Sequence, residues 1–213
     1  MGHKTNPIVL RLGVNKTHSS SWFSKTKLDF AKNLAEDNKV RRFIEKKLDS
    51  SGIESIFIYR NINDIQIDVT VARPGVVIGR GGKAIEDLKK DLAKLLKVKV
   101  DVKIIESKNP ESQAAIVAYM VADQCKRRVS PKQAMQRELL KMKAIPSVRG
   151  AKISVSGRIR GTEIARTEKV SFGSVPLQTL KANVDYHLYN VRVPNAGLHG
   201  IKVWIYKEDK LEK

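Results

Sequence analysis

VVIGRGGKAIEDL, residues 76–88, sets three glycines and an arginine between a short apolar run and a helix-like pattern. Glycine lets the backbone approach a neighbour closely, and the free N–H groups at the start of the following helix favour an anion. That anion could belong to a nucleotide triphosphate, a dinucleotide or a nucleic-acid backbone. The residues on either side discriminate among the three.

Upstream, a helix begins near Lys25 and later places Val40, Phe43, Ile44 and Leu48 on one stripe before Ser51-Gly52 stops it. Residues 53–60 (IESIFIYR) and 65–71 read as two strands joined at Asn61-Ile62-Asn63-Asp64, and in the second Ile65, Ile67, Val69 and Val71 alternate with polar residues. Arg73-Pro74-Gly75 breaks that strand and opens a short helical turn that delivers the chain to Gly79. Downstream, Ile85, Leu88, Leu92, Leu95 and Leu96 share one helix face. A third strand, 97–105 (KVKVDVKII), alternates through Val98, Val100, Val102 and Ile104. The order is α-β-β-α-α-β.

A Walker loop requires G-x-x-x-x-G-K-[ST], and here Val77 stands at the first glycine and Ala84 at the metal-binding hydroxyl. Two defining positions fail. The GRGGKA segment formally satisfies the dinucleotide fingerprint G-x-G-x-x-A, with Asp101 downstream for a ribose contact, so a dinucleotide-binding enzyme is the alternative reading. Against it, parallel strands covered on both faces read as continuous apolar runs, whereas KVKVDVKII has one wet face. Gly79-Arg80-Gly81-Gly82 also fits the GxxG turn between two helices of a type II KH domain, which clamps the backbone of single-stranded nucleic acid. Arg80 and Lys83 then supply charge. A glycine-rich turn between helices needs no ligand of its own; the overall charge argues for one.

The 213 residues carry 41 Lys+Arg against 22 Asp+Glu, a net charge of +19 with 41% apolar residues. This is the footprint of a globular polyanion binder, and nucleic acid is the leading partner class. Residues 126–169 alone hold 13 basic and 3 acidic residues, net +10, so the densest field is not at the glycine loop. The longest apolar run, 114–122, is far short of the roughly 20 residues a membrane-spanning helix needs. No charged-then-apolar leader opens the sequence, which sets the expectation of a cytoplasmic protein.

After Ser107-Lys108-Asn109-Pro110 the pattern changes to two helices, about 111–129 and 131–143, followed by strands at 152–160, near 162–172, 180–188 and 201–207. In KISVSGRIR, Ile153, Val155 and Ile159 alternate with Lys152, Ser154, Ser156, Arg158 and Arg160, predicting a basic, hydroxyl-rich exposed face suited to phosphates and sugars. Glu163 and Glu168 lie among cations and read as ion-pair partners, not as an acid/base pair. The single cysteine, Cys125, reads as a small buried hydrophobe, and the four histidines show no ligand spacing, so no metal site, cofactor or catalytic residue is expected.

Taken together, these segments resemble the S-three family of small-subunit ribosomal proteins in its bacterial or organellar form. The resemblance rests on GHKTNP through Arg11-Leu12-Gly13, on VIGRGG, and on Gly157-Arg158 with GTEIARTE (161–168). It extends through Val175-Pro176-Leu177, Thr179-Leu180, Asp185-Tyr186 and the closing GIKVWIYK (200–207). It implies a ribonucleoprotein in the head of the small subunit, in contact with 16S-type ribosomal RNA and with neighbouring proteins of the tenth and fourteenth families. It also implies a place beside the channel through which messenger RNA enters, on cytoplasmic or organellar ribosomes. Departures are Val9, the run 187–199, the absence of the family's extended C-terminal tail, and Gln133 and Gln136 where the family usually carries cations facing the message.

The expected fold is therefore α+β: a basic arm (1–18), a type II KH domain (19–106), a C-terminal domain of two helices and a mostly antiparallel sheet (107–207), and a polar tail (208–213). The expected RNA contacts are Gly79, Arg80, Gly81, Gly82 and Lys83 at the loop. Ribosomal RNA is assigned to Lys4, Arg11, Lys152, Arg158, Arg160 and Arg166, and messenger RNA to Arg127, Arg128, Lys132 and Arg137.

Overall fold

The computed structural model describes residues 4–61, 64–96 and 98–208. Gly2 and His3 of the opening motif, Ile62 and Asn63 of the expected turn, Lys97 at the expected strand start and tail residues 209–213 lie outside the described residues. The elements run α1 (Pro7–Leu10), β1 (Ser20–Ser21), α2 (Lys27–Lys47), β2 (Ile53–Arg60), β3 (Asp64–Val71), α3 (Pro74–Ile78), α4 (Lys83–Leu96) and β4 (Lys99–Glu106). They continue through α5 (Ala114–Lys126), α6 (Pro131–Lys143), β5 (Val148–Gly157), β6 (Arg166–Gly173), β7 (Val184–Val193) and β8 (Gly197–Lys207). Two units result: residues 18–108, and a second in which the segment before His18 joins the residues from Asn109 onward.

In the first unit the sheet order is β1-β2-β3-β4, with β2 and β3 antiparallel and β3 and β4 parallel. Helix α2 starts where the Thr26 hydroxyl accepts the Asp29 N–H at 3.1 Å. Val40 and Ile44 from α2, and Leu88 and Leu92 from α4, are buried against Ile58, Ile67, Val69 and Val102. Burying each such side chain contributes roughly 1.5–3 kcal/mol. In β4, Val100 and Val102 are buried while Lys99, Asp101 and Lys103 are exposed, the half-wet pattern that the alternation predicts. A polar cluster closes one end: Asp37 accepts from Arg60 at 2.7 Å, Trp22 at 2.8 Å and Ser20 at 3.1 Å.

In the second unit all four strands are antiparallel in the order β6-β5-β8-β7. Helices α5 and α6 cover one face, setting Val117, Val121, Met135 and Met142 over Ile153, Val155, Ile201 and Val203. Helix α5 has no cap from its own sequence; Asp185 on β7 accepts its first N–H, from Ala114, at 2.9 Å. The strand expected at 180–188 lies instead at Val184–Val193. Residues 176–182 are spent on a loop held by hydrogen bonds to the N-terminal segment.

That segment is not an irregular arm. Asn6 caps α1, and Arg11 is fully buried, donating from Nε to Ala182 O at 2.8 Å, from Nη1 to Pro7 O at 3.0 Å, and from Nη2 to Thr179 O at 2.8 Å. Nη2 also reaches the carbonyls of Pro176 and Leu177 at 3.1 and 3.2 Å. With its fork committed to main-chain carbonyls, Arg11 has no surface to offer RNA. The expected RNA contact is a structural clasp.

The basic strand is also shorter than its alternation suggests. At Gly157 (φ +148°) a Cβ would stand 2.3 Å from Cδ2 of His199, and strand β5 ends there. Arg158 and Arg160 lie beyond it, Arg160 in a 3-10 turn at φ +59°, so they do not extend the face begun by Lys152. Glu168, expected as an ion-pair partner, keeps one carboxylate oxygen buried without a hydrogen bond.

Candidate nucleic-acid interface

The glycine loop joins two helices, with α3 on one side and α4 on the other. Gly79 (φ +70°), Gly81 (φ +64°) and Gly82 (φ +77°) all occupy the left-handed region that side chains disfavour. Their roles differ. A Cβ at Gly79 would stand 2.8 Å from the Cβ of Ala84, so position 79 must be bare for α3 and α4 to meet. At Gly81 and Gly82 a Cβ would meet nothing, which leaves the outer rim of the turn open to a ligand backbone. Lys83 is exposed at the first residue of α4, and Val76 and Ile78 on α3 remain exposed beside the loop. The side chain of Arg80 lies outside what is described.

This geometry disposes of the dinucleotide fingerprint. The loop does not follow a strand, because α3 intervenes after β3, and the sheet beside it is mixed. Asp101, the expected ribose partner, accepts a 2.7 Å hydrogen bond from Lys89, which holds its carboxyl below the usual range.

The second unit carries a cationic face opposite its helices. Residues paired across neighbouring strands share a face. One row reads Ser171, Lys152, Trp204, Tyr186; the next Lys169, Ser154, Lys202, Leu188; the third Thr167, Ser156, Gly200, Asn190. These three rows contain no carboxylate. Lys152 Nζ lies 5.7 Å from the centre of the Trp204 ring, and burial, then the charges of Lys4 and Lys169, draw its pKa below the ordinary lysine value. Lys4, Lys152 and Lys169 thus form one electrostatic cluster. Ser154, expected to be exposed, is buried between the lysines opposite it on both neighbouring strands, whose stems cover so short a side chain.

Arg166 pairs with Gly157, out of phase with Thr167 and Lys169, and so belongs to the helix-side face. Lys202, Trp204 and Tyr186 complete the cationic face and were not foreseen. The signal was present in IKVWIYK, whose alternation repeats that of KISVSGR. Elsewhere, Lys132, Gln133, Gln136 and Arg137 are exposed on α6, while Arg127 is exposed and paired with Asp123 at 2.8 Å.

Comparison with known proteins agrees with both units. Residues 39–112 match the family described as the KH domain, and residues 121–205 match "Ribosomal protein S3, C-terminal domain". The small ribosomal subunit protein uS3 of Alkaliphilus oremlandii is 44% identical over 212 residues, covering 99% of this chain and 88% of that protein. The chain belongs to the uS3 family. The uS3 protein of Synechocystis is 44% identical over 97% of this chain and 86% of its own, and the uS3c protein of Guillardia theta 39% identical over 99% and 97%. Membership makes this uS3 chain a ribosomal structural protein and not an enzyme, and gives the glycine loop its KH setting. Among the described residues no helix is long and apolar enough to cross a membrane.

Proposed function

We propose that this uS3 chain binds small-subunit ribosomal RNA in the head of the subunit and flanks the path by which messenger RNA enters. The observation that carries the reading is the carboxylate-free face of Lys152, Lys169 and Lys202, joined by Lys4, with hydroxyls and an aromatic ring between the charges. Such a surface neutralises phosphates and gains affinity from counterion release, with no chemistry performed on the RNA. The glycine loop clamps a single-stranded segment through Gly79–Lys83 backbone and charge. Arg127, Arg128, Lys132 and Arg137 face the message. With Gln133 and Gln136 among them, they contact it as a sparse set of cations, not as a dense one.

Neighbouring head proteins of the tenth and fourteenth families dock on apolar surface. Phe23, Leu28, Phe30 and Leu34 of the first unit, all more than half exposed, offer a patch of the kind that marks protein contacts. The test is sedimentation of the tagged full chain from a lysate. It travels with small subunits and is released by high salt; a chain that stays at the top of the gradient at low salt overturns the reading.

A further inference from the structure

Sequence reading assigns Arg128 to messenger RNA and Arg160 to ribosomal RNA, but the fold brings both to one cavity of about 280 Å³. The cavity lies within the second unit, between the α5–α6 connection, the turn after β5 and the β7–β8 hairpin. Among the described residues, three non-glycine positions have positive φ: Arg128 (+64°), Arg160 (+59°) and Asn195 (+65°). All three line this cavity. A left-handed backbone disfavours side chains, and such residues persist where surroundings or function hold them there.

Strain alone names no ligand; the buried histidine in the wall does. His199 is 2% exposed, and neither of its ring nitrogens has a hydrogen-bond partner. A buried polar group without a partner is costly, and in either neutral tautomer this ring presents one N–H donor. Arg128, Arg160 and Asn195 line the same cavity, as does the start of α6. Ser130 gives that helix no side-chain cap, and Ser130 lines the cavity too. No carboxylate is among the lining residues, whereas Val129 and Pro194 supply apolar wall. A cavity lined by donor-bearing residues and no carboxylate selects an anion, and guanidinium forks suit phosphate oxygens. The volume exceeds what a bare phosphate fills, and the apolar wall suits the nucleoside attached to it.

We propose that this cavity binds a phosphate group presented by a single unpaired nucleotide, with the phosphate on Arg128, Arg160 and His199. The inference rests on the RNA-binding reading above and adds a second site to the glycine loop. The test is the full chain titrated with uridine 5′-monophosphate and, separately, with inorganic phosphate, observing the His199 imidazole nitrogens by NMR. The comparison is R128G/R160G, in which glycine takes both left-handed positions without strain. Both probes shift the His199 signals saturably in the original chain, the nucleotide at least tenfold more tightly. The double variant loses both responses. Its far-UV circular dichroism is that of the original chain, so the lost responses are not those of an unfolded protein. Silence of His199 toward both probes at millimolar concentration, or an unchanged response in the variant, overturns the site. Equal affinity for the two probes overturns the nucleotide and leaves the phosphate. Loss of oligonucleotide binding on altering the glycine loop while His199 stays silent defeats this inference alone.

Discussion

Arg11 donates from Nη2 to the carbonyl of Thr179 at 2.8 Å, tying the start of the chain to a loop 168 residues later. Five main-chain carbonyls share this one guanidinium, and it is fully buried. Only a planar group with five donors fills such a set, and burial draws its pKa below the ordinary arginine value without neutralising it.

Arg11→Ala is therefore expected to destabilise the second unit by about 3 kcal/mol or more, since several buried carbonyls lose their partner at once. Arg11→Lys should recover little of that, because an ammonium cannot reach carbonyls spread along a fork. Urea denaturation followed through Trp204 fluorescence in a Trp22→Phe background measures both. A loss under 1 kcal/mol for the alanine variant would mean that solvent replaces the clasp.

The glycine loop separates conformation from contact. Gly79→Ala combines a positive φ with a 2.8 Å approach to Ala84 and should lower stability by about 1–3 kcal/mol. Gly81→Ala meets no neighbour and should cost about 1 kcal/mol for its left-handed backbone alone. Arg80→Asp with Gly81→Asp uses the tolerance of aspartate for that conformation. Far-UV circular dichroism should be unchanged while single-strand affinity falls at least tenfold. Retained affinity would remove the clamp role.

The main helices and strands of the first unit were legible, because they declare themselves through local periodicity. Leu95 and Val98, expected on buried faces, are nevertheless exposed, and the short strand β1 gave no periodic signal. Ile65 to Val71 and Val100 to Ile104 each alternate against one helical layer. The second unit was legible in type but not in register. Arg158 and Arg160 continue an apolar-polar alternation that the chain abandons at Gly157, where the ring of His199, more than forty positions away in sequence, leaves no room for a side chain. Arg11 misled for the same reason. A basic residue in an aperiodic segment looks solvated until the loop that surrounds it is in place.

If the cationic face binds ribosomal RNA through phosphates, its charges set the salt dependence. Each lysine that neutralises one phosphate contributes about 0.7–0.9 to the log–log slope of affinity against salt. K152A/K169A/K202A should therefore flatten the slope by about 2–3 and weaken binding uniformly across sequences. Filter binding of a head-domain RNA fragment between low and moderate salt measures it. An unchanged slope would return these lysines to solvent.

Cys125 reports on the packing beneath α5 and α6. Its thiol is buried, and burial pushes its pKa from 9.0 up to about 11. Because the folded value is the higher one, this group favours the folded state fully below pH 9 and progressively less as pH rises toward 11. At pH 8 the raised pKa lowers the thiolate fraction about a hundredfold relative to an unfolded chain. Alkylation by iodoacetamide at pH 8 should accordingly be slower in the folded protein than in urea by about two orders of magnitude, and should rise with denaturant in step with loss of Trp204 signal in a Trp22→Phe background. Labelling that runs ahead of unfolding would show instead that the α5–α6 connection opens independently of the sheet below it.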